Sequence, residues 1–275
     1  MHEASFETTI KPQRGLNPVN WRELWIYREL LYILIWRDIK VRYKQTVLGA
    51  AWAIFQPFMS MVVFTVFFGN LAKMPSDDLP YPIFVYAGLL PWTFFANGLT
   101  GASNSLVSQG HLISKVYFPR LLIPMSSFGA RLLDLCVSLL IMFVMMIYYG
   151  IYPGLSLLML PVLITATFVA ALGAGTFLSA LCVGYRDVNY ITPFMIQLWM
   201  YATPVIYPSS IVPEKWRWIL SINPMAGIID GYRSALLGKP FDWLSISISL
   251  WVSLVGLAIG LFYFRAVERK FADII

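Results

Sequence analysis

Apolar residues come in long blocks along this chain, and the blocks rather than any short motif set its expected architecture. Residues 1–20 are polar, carry Pro12 and Pro18 and lack an apolar core segment, which predicts a flexible tail without a cleavable leader. From Trp21 to Trp36, Trp, Leu and Ile alternate with Arg22, Glu23, Arg28 and Glu29. That stretch is too short and too charged to cross a bilayer. It predicts an amphipathic helix over 21–36, lying in a membrane interface or packed on another domain. Six apolar runs follow, at Val47–Leu71, Pro82–Leu106, Leu121–Tyr149, Leu155–Val183, Tyr190–Tyr207 and Trp243–Phe264. Most reach the ~20 residues a spanning helix needs, while the fifth is short and interrupted by proline. The expected fold is an all-α integral membrane protein with six transmembrane helices. Between the fifth and sixth runs, Val212–Leu220 and Asn223–Leu237 carry two helical patterns, the second stopped by Gly238 and Pro240. They predict short re-entrant helices on the outer side, which need protein or a water-filled cavity to shelter their backbone ends.

Composition agrees with the pattern. At 59% hydrophobic, 12% charged and a mean hydropathy of +0.69, the chain has too little polar surface to clothe a soluble globule of its 275 residues. Cys136 and Cys182 both fall inside apolar runs, as small core residues do. The charges decide orientation. Residues 1–46, the loops at 107–120 and 184–189, and the tail after Phe264 hold fourteen of the twenty Lys and Arg; the opposite side holds five, and Arg131 lies inside a run. The positive-inside rule then places both termini in the cytoplasm. At the junction between Trp36 and Pro57 the charge stops, and Arg37, Lys40, Arg42 and Lys44 would hold the chain at a headgroup surface.

Catalytic chemistry is hard to find. The one Gly-Lys pair, Gly238-Lys239, is followed by Pro240 with no phosphate-cradling glycine loop before it, and the two histidines have no partners at ligand or triad spacing. No cofactor or metal is expected in this chain, and any ATP would be used by another one. Three features remain. Arg131 and Asp134, three apart on one helical face, read as a structural ion pair or as part of a transport path. The loop from Ser108 to Arg120, with a brief amphipathic stretch stopped by Pro119, reads as an ordinary inner loop or as a short helix that a soluble partner grips. Aromatic residues recur along three runs, at Trp52, Phe55 and Phe58, at Tyr86, Trp92, Phe94 and Phe95, and at Trp199, Tyr201 and Tyr207. They suit helix and lipid packing, or a channel on whose ring faces sugars stack.

These stretches also carry a resemblance. Trp36-Arg-Asp-Ile-Lys-Val-Arg-Tyr-Lys-Gln-Thr-Val-Leu-Gly-Ala-Ala-Trp52, Gln56-Pro57, Tyr86-Ala-Gly-Leu-Leu-Pro-Trp92, Lys115-Val-Tyr-Phe-Pro-Arg120, Tyr185-Arg-Asp187, Pro204-Val-Ile-Tyr-Pro208 and Asn223-Pro224 stand in order. Together they resemble the signature stretches of ABC-2 type permeases that export lipid-linked polysaccharides. The nearest type is the O-antigen (Wzm-type) permease, with capsule and teichoic acid permeases as relatives. The resemblance implies an ABC-2 transmembrane domain over 37–275 in the inner membrane of a bacterium. It implies a homodimer joined to two copies of a separate P-loop ATPase that holds ATP and Mg, surrounded by membrane lipid, with no nucleic acid partner. Such a permease has no catalytic residues of its own. It implies that His111, Lys115, Tyr117 and Pro119 couple to the ATPase, and that Trp52, Phe55, Tyr86, Trp92, Trp199 and Tyr201 line the channel. Trp216, Trp218 and Pro224 belong to its outer gate. Arg37, Lys40, Arg42 and Lys44 would meet an undecaprenyl pyrophosphate, or simply anchor the helix. The alternatives are an ABC-2 exporter of a small hydrophobic compound, and a membrane-embedded glycan transferase. The transferase needs an acidic catalytic cluster, for which the sequence offers only Asp77-Asp78, in a proline-flanked turn.

Overall fold

A computed structural model describes residues 20–44, 51–152, 154–268 and 271, and all its regular elements are helical. The expected tail over 1–19 and the start of the first run, 47–50, lie outside the described residues. Helix α1 spans Trp21–Ile26, with the Asn20 side chain accepting from the Glu23 amide at 3.3 Å as an N-cap. After a single-residue break at Tyr27, helix α2 runs over Arg28–Lys44. It continues past Trp36, where the sequence reading ended it, because 37–44 contains neither Gly nor Pro to stop it. This helix is apolar on two faces rather than one. Leu24, Tyr27, Leu30, Leu31 and the buried Leu34 pack onto the protein, while Trp21, Trp25, Tyr32 and Trp36 form an exposed stripe at helical spacing.

Helix α3 covers Ala51–Phe64 and runs into a π-helical turn at Thr65–Leu71. Helix α4, Tyr81–Ser108, is followed by the short α5, Gly110–Lys115, then by α6, Leu122–Tyr148. A 3-10 turn at Leu155–Met159 leads into α7, Leu160–Gly184, and α8 spans Val188–Tyr201. Helices α9, Glu214–Ile222, and α10, Pro224–Leu237, precede the last helix, α11, Trp243–Glu268. Five segments are long and apolar enough to cross a membrane: Ala51–Leu71, Tyr81–Ser108, Leu122–Tyr148, Leu155–Gly184 and Trp243–Glu268. The fifth expected run becomes the 14-residue α8, because the chain leaves the helix for turns around Pro204.

Helix α4 is the axis. Most of it is buried, and it packs against α6 and α7 along their lengths and against α3, α8 and α10 over shorter stretches. The outer surfaces of α6, α7 and α11 stay apolar, with Leu140, Val144, Val162, Trp251 and Ile259 all exposed. That is the inversion expected of helices bathed in lipid tails. Where α7 and α11 cross, backbone meets backbone. A Cβ on Gly260 would lie 2.3 Å from the Gly173 carbonyl oxygen, and one on Gly173 would lie 2.6 Å from the Leu257 nitrogen. Two helices with no hydrophobic effect to hold them in lipid gain their attraction from approach this close. At the end of α10, Gly238 takes φ +73° and turns the chain into the Pro240 connection, a conformation that disfavours any side chain.

Candidate functional site

Three groups of side chains expected from the sequence take their places in the bundle, and a fourth was not anticipated. Asp134 on α6 gathers the end of α2. Its Oδ2 lies 2.9 Å from an Arg42 terminal nitrogen and 3.7 Å from Arg131, and the Tyr43 hydroxyl donates to Oδ1. The Arg131–Asp134 spacing read from the sequence is thus present, but the shorter contact goes to Arg42. A small polar hollow opens beside it, bordered by Gln56, Thr93, Asn97 and Ser138 as well as both arginines. Asp134 and Ser138 are buried, Arg42, Thr93, Asn97 and Arg131 half-buried and Gln56 exposed, and polar groups enclosed among apolar helices each need a partner or water. Of the other three junction cations, Arg37 pairs with its neighbour Asp38 at 2.8 Å and Lys40 lies over the Trp36 ring at 5.4 Å. Lys44 is exposed at the end of α2. The four cations follow the helix and do not converge on one point.

The loop over 108–120 forms α5 and its continuation. Ile113 and Phe118 anchor it in the smaller apolar cluster, leaving His111, Lys115 and Tyr117 exposed and Pro119 half-buried. Tyr117 donates to Glu23 on α1 at 3.2 Å. Partial burial, followed by the Glu23 charge and hydrogen bond, pushes the Tyr117 hydroxyl above its ordinary value, so it stays a donor. Arg120 donates to the Glu268 carbonyl at the end of α11 and sits over the Phe271 ring. The loop is therefore tied to both the first and the last helices.

The six aromatic candidates divide. Trp52 and Phe55 on α3 are 47% and 48% exposed, and Tyr201 at the end of α8 is 51% exposed. Tyr86 and Trp92 are buried in the core, Tyr86 donating to the Ser138 carbonyl at 3.3 Å and Trp92 packing on Phe95. Trp199 is half-buried, edge-on to Phe95 at 5.1 Å, with its indole nitrogen donating to the Asn223 side chain at 3.2 Å. Of these six candidates, the exposed rings lie on α3 and at the end of α8, because α4 is enclosed by its neighbours.

Asn223 is the joint between α9 and α10. Its Oδ1 accepts from Trp199 and from the Met225 amide at 3.1 Å, and its Nδ2 donates to Thr203 at 2.8 Å. Pro224 starts α10, while Trp216 and Trp218 on α9 are exposed. Helix α10 is buried and carries Arg233, which is 2% exposed. Its guanidinium lies 3.8 Å from the Phe84 ring centroid and donates to the Val205 carbonyl at 2.7 Å and to Asp230 at 3.4 Å. The apolar pattern of the sequence does not single out this group. The signal was there, since Asp230 and Arg233 have the same i, i+3 spacing as Arg131 and Asp134, but they lie outside the apolar runs where such charges draw notice. Asp77 also differs from a purely solvated turn, for Lys239 reaches it at 2.7 Å and Ser210 donates to it at 2.8 Å.

Similarity to known proteins can be set beside this geometry. The family model described as ABC-2 type transporter matches residues 29–237. The chain is 28% identical over 248 residues to the O-antigen export system permease protein RfbA of Klebsiella pneumoniae, covering 90% of this chain and 95% of that one. It is 32% identical over 216 residues to the O-antigen export system permease protein RfbA of Myxococcus xanthus, covering 78% and 82% respectively. The polysialic acid transport protein KpsM of Escherichia coli is 22% identical over 242 residues, covering 86% and 92%.

Proposed function

This chain belongs to the ABC-2 type transporter family, and from that premise we propose that it is the membrane-spanning permease of a polysaccharide exporter. The cargo is an undecaprenyl-pyrophosphate-linked glycan similar to O-antigen. The observation that carries the reading is similarity along almost the whole length to permeases named for O-antigen export. Two copies of this chain form the path, and α8 with the turns after it supplies the sixth crossing. Both termini lie on the cytoplasmic side of the bacterial inner membrane. Two copies of a P-loop ATPase bind ATP and Mg below and grip the exposed His111, Lys115 and Tyr117 of the α5 loop. Since that loop is bonded to Glu23 and to the end of α11, a pull on it is passed to the interface helix and the last span together.

Trp52, Phe55 and Tyr201 expose rings on which successive sugars stack without sequence-specific contacts. Tyr86, Trp92 and Trp199 become part of that surface only if α4 and α8 separate from their present packing. The inner stripe of Arg37, Lys40 and Lys44, with Arg42 shared between Asp134 and the polar hollow, receives the pyrophosphate. The test is deletion of this chain in its own host, followed by measurement of surface glycan and by identification of proteins that copurify with the tagged permease. Loss of surface glycan with accumulation of the lipid-linked precursor inside, and recovery of an equimolar P-loop ATPase, is the expected result. Normal surface glycan after deletion refutes the cargo.

A further inference from the structure

A second hollow lies on the outer side, where neither the aromatic surface nor the inner charge cluster reaches. It has a volume of about 300 Å³ and opens between α9, α10, the 238–245 connection and the turn at Asp77. That size is at the lower end of small-molecule sites, which span roughly 300–1,000 Å³. Its chemistry is unlike the rest of this apolar chain. Five serines border it, together with Asp77, Asp230, Asp242, Arg217, Arg233 and Lys239.

The charges decide what it can hold. Three carboxylates face three cations, and they are matched. Lys239 pairs with Asp77 at 2.7 Å and Arg233 with Asp230 at 3.4 Å, while Arg217 is near enough for its charge to act on Asp242. A wall with no net charge has no strong attraction for a phosphate or a metal ion. It still offers a dense set of donors and acceptors in fixed directions. Carboxylate oxygens accept from neighbouring hydroxyls, and guanidinium, ammonium and serine groups donate to ring and bridging oxygens. Those are the needs of a neutral, polyhydroxylated ligand. The site is also rigid. Arg233 is clamped between Phe84 and the Val205 carbonyl, and the Ser209 hydroxyl donates to Asp230. Phe241 and Trp243, stacked with ring centroids 5.1 Å apart, stand on either side of Asp242 in the chain and supply aromatic surface next to it in sequence.

We propose that this hollow is a saccharide subsite on the outer face, which holds one sugar unit of the glycan as the chain emerges. The proposal rests on the polysaccharide-export reading and adds a place where the product is retained before release. Because α9 and α10 meet at Asn223, and Trp199 of α8 bonds to the same residue, occupancy of the hollow and the packing of α8 share one joint.

The test places single cysteines in the full-length chain, with Cys136 and Cys182 replaced by Ala, and labels living cells with a small charged maleimide. Ser221→Cys and Ser245→Cys report the hollow, and Tyr152→Cys, on an exposed turn that does not line it, is the control. Labelling at the two serine positions is expected to be at least threefold slower in cells making the glycan than in cells lacking its first sugar transferase. The control should label equally in both. Equal rates at the serine positions, in cells that still display glycan, overturn the subsite and leave the export reading standing. Glycan display that survives deletion of this chain overturns the export reading instead. A second measurement needs no variant that must export. The unaltered chain in lipid nanodiscs is mixed with the methyl glycosides of the glycan's own sugars, and saturation transfer from protein to sugar is recorded. Transfer that falls at least threefold in Asp242→Asn supports the subsite, and no transfer to any of the glycosides overturns it.

Discussion

Replacing Asp134 by Ala removes the acceptor that Arg42, Tyr43 and Arg131 share, and with it the polar bonds that hold the end of α2 to α6. The attraction between unit charges 2.9 Å apart is roughly 1.4 kcal/mol at the dielectric of water and roughly 5.7 kcal/mol at an effective value of about 20. Desolvation offsets much of the larger figure, by several kcal/mol per ion in a dry site. Here the side chains keep 27% and 12% of their exposure, so the site is neither dry nor bulk water. A net coupling of about 1–2 kcal/mol follows, near the upper end of polar pairs in helical membrane proteins. The single substitution should cost more, about 3 kcal/mol, because it takes the carboxylate away from two guanidinium groups held among apolar helices. Reversible unfolding in mixed micelles of the unaltered chain, R42A, D134A and R42A/D134A closes the cycle. The double variant should be less destabilised than the sum of the singles by about 1–2 kcal/mol, which at 1.4 kcal/mol per decade is roughly a tenfold difference in the unfolding constant. Costs that add to within about 0.5 kcal/mol would show that Arg42 and Asp134 do not couple α2 to α6, and the ion pair would lose its structural role.

Gly260→Val forces methyl groups into the Gly173 backbone, and α7 and α11 must part by more than an ångström. The expected loss is at least the ~1–3 kcal/mol of an overpacked core, read as a lowered unfolding midpoint, whereas Gly256→Ala, where nothing lies within 4 Å, should be neutral. Asn223→Ala removes the cap of α10 together with the bonds to Trp199 and Thr203. A cost of about 1–2 kcal/mol and faster amide exchange at Met225 and Ala226 are expected, and unchanged exchange there would count against Asn223 as the joint. Partial burial pushes the Asp77 carboxyl up, but bonds from Lys239 and Ser210 and the nearby cations outweigh it and hold it below its ordinary value of 3.8. A depressed folded value means the stabilisation is full above the ordinary value and disappears as pH falls through the folded one. Amide exchange in 76–79, corrected for its intrinsic pH dependence, should therefore be constant from pH 7 to about pH 5 and rise only below about pH 4. A rise between pH 7 and 6 would contradict the bridge.

Much of the helical layout was legible in the residues. Long apolar blocks have few stable options in lipid, because a backbone that finds no water must bond to itself, and so five of the six runs appear as helices of spanning length. Asn223-Pro224 was legible as a break for the same local reason, since Asn caps and Pro begins a helix. The end of α2 was not. Nothing between Arg37 and Lys44 stops a helix, yet a run of charges there looks like a boundary. The site was less legible than the fold. Tyr86 and Trp92 carry the same ring chemistry as Trp52 and Phe55, but the first pair is enclosed and the second pair exposed.

The sequence by itself determined what depends on neighbours in the chain and on solvent. It set which segments prefer lipid, where charge stops, where helices are capped or broken, and which chemistry is missing from the motifs. Partner choice across the chain was decided only by the tertiary structure. Asp134 could have been satisfied by Arg131 alone, three residues away, but the packing of α2 on α6 brings Arg42 and Tyr43 nearer from more than ninety positions upstream. Asp77 and Lys239 meet at 2.7 Å although 162 residues separate them. Apolar helices in lipid are nearly uniform around their circumference, so periodicity does not say which face turns inward. Close backbone approach at glycines and the few polar bonds between helices choose the rotation, and both are properties of pairs that no single stretch of sequence contains.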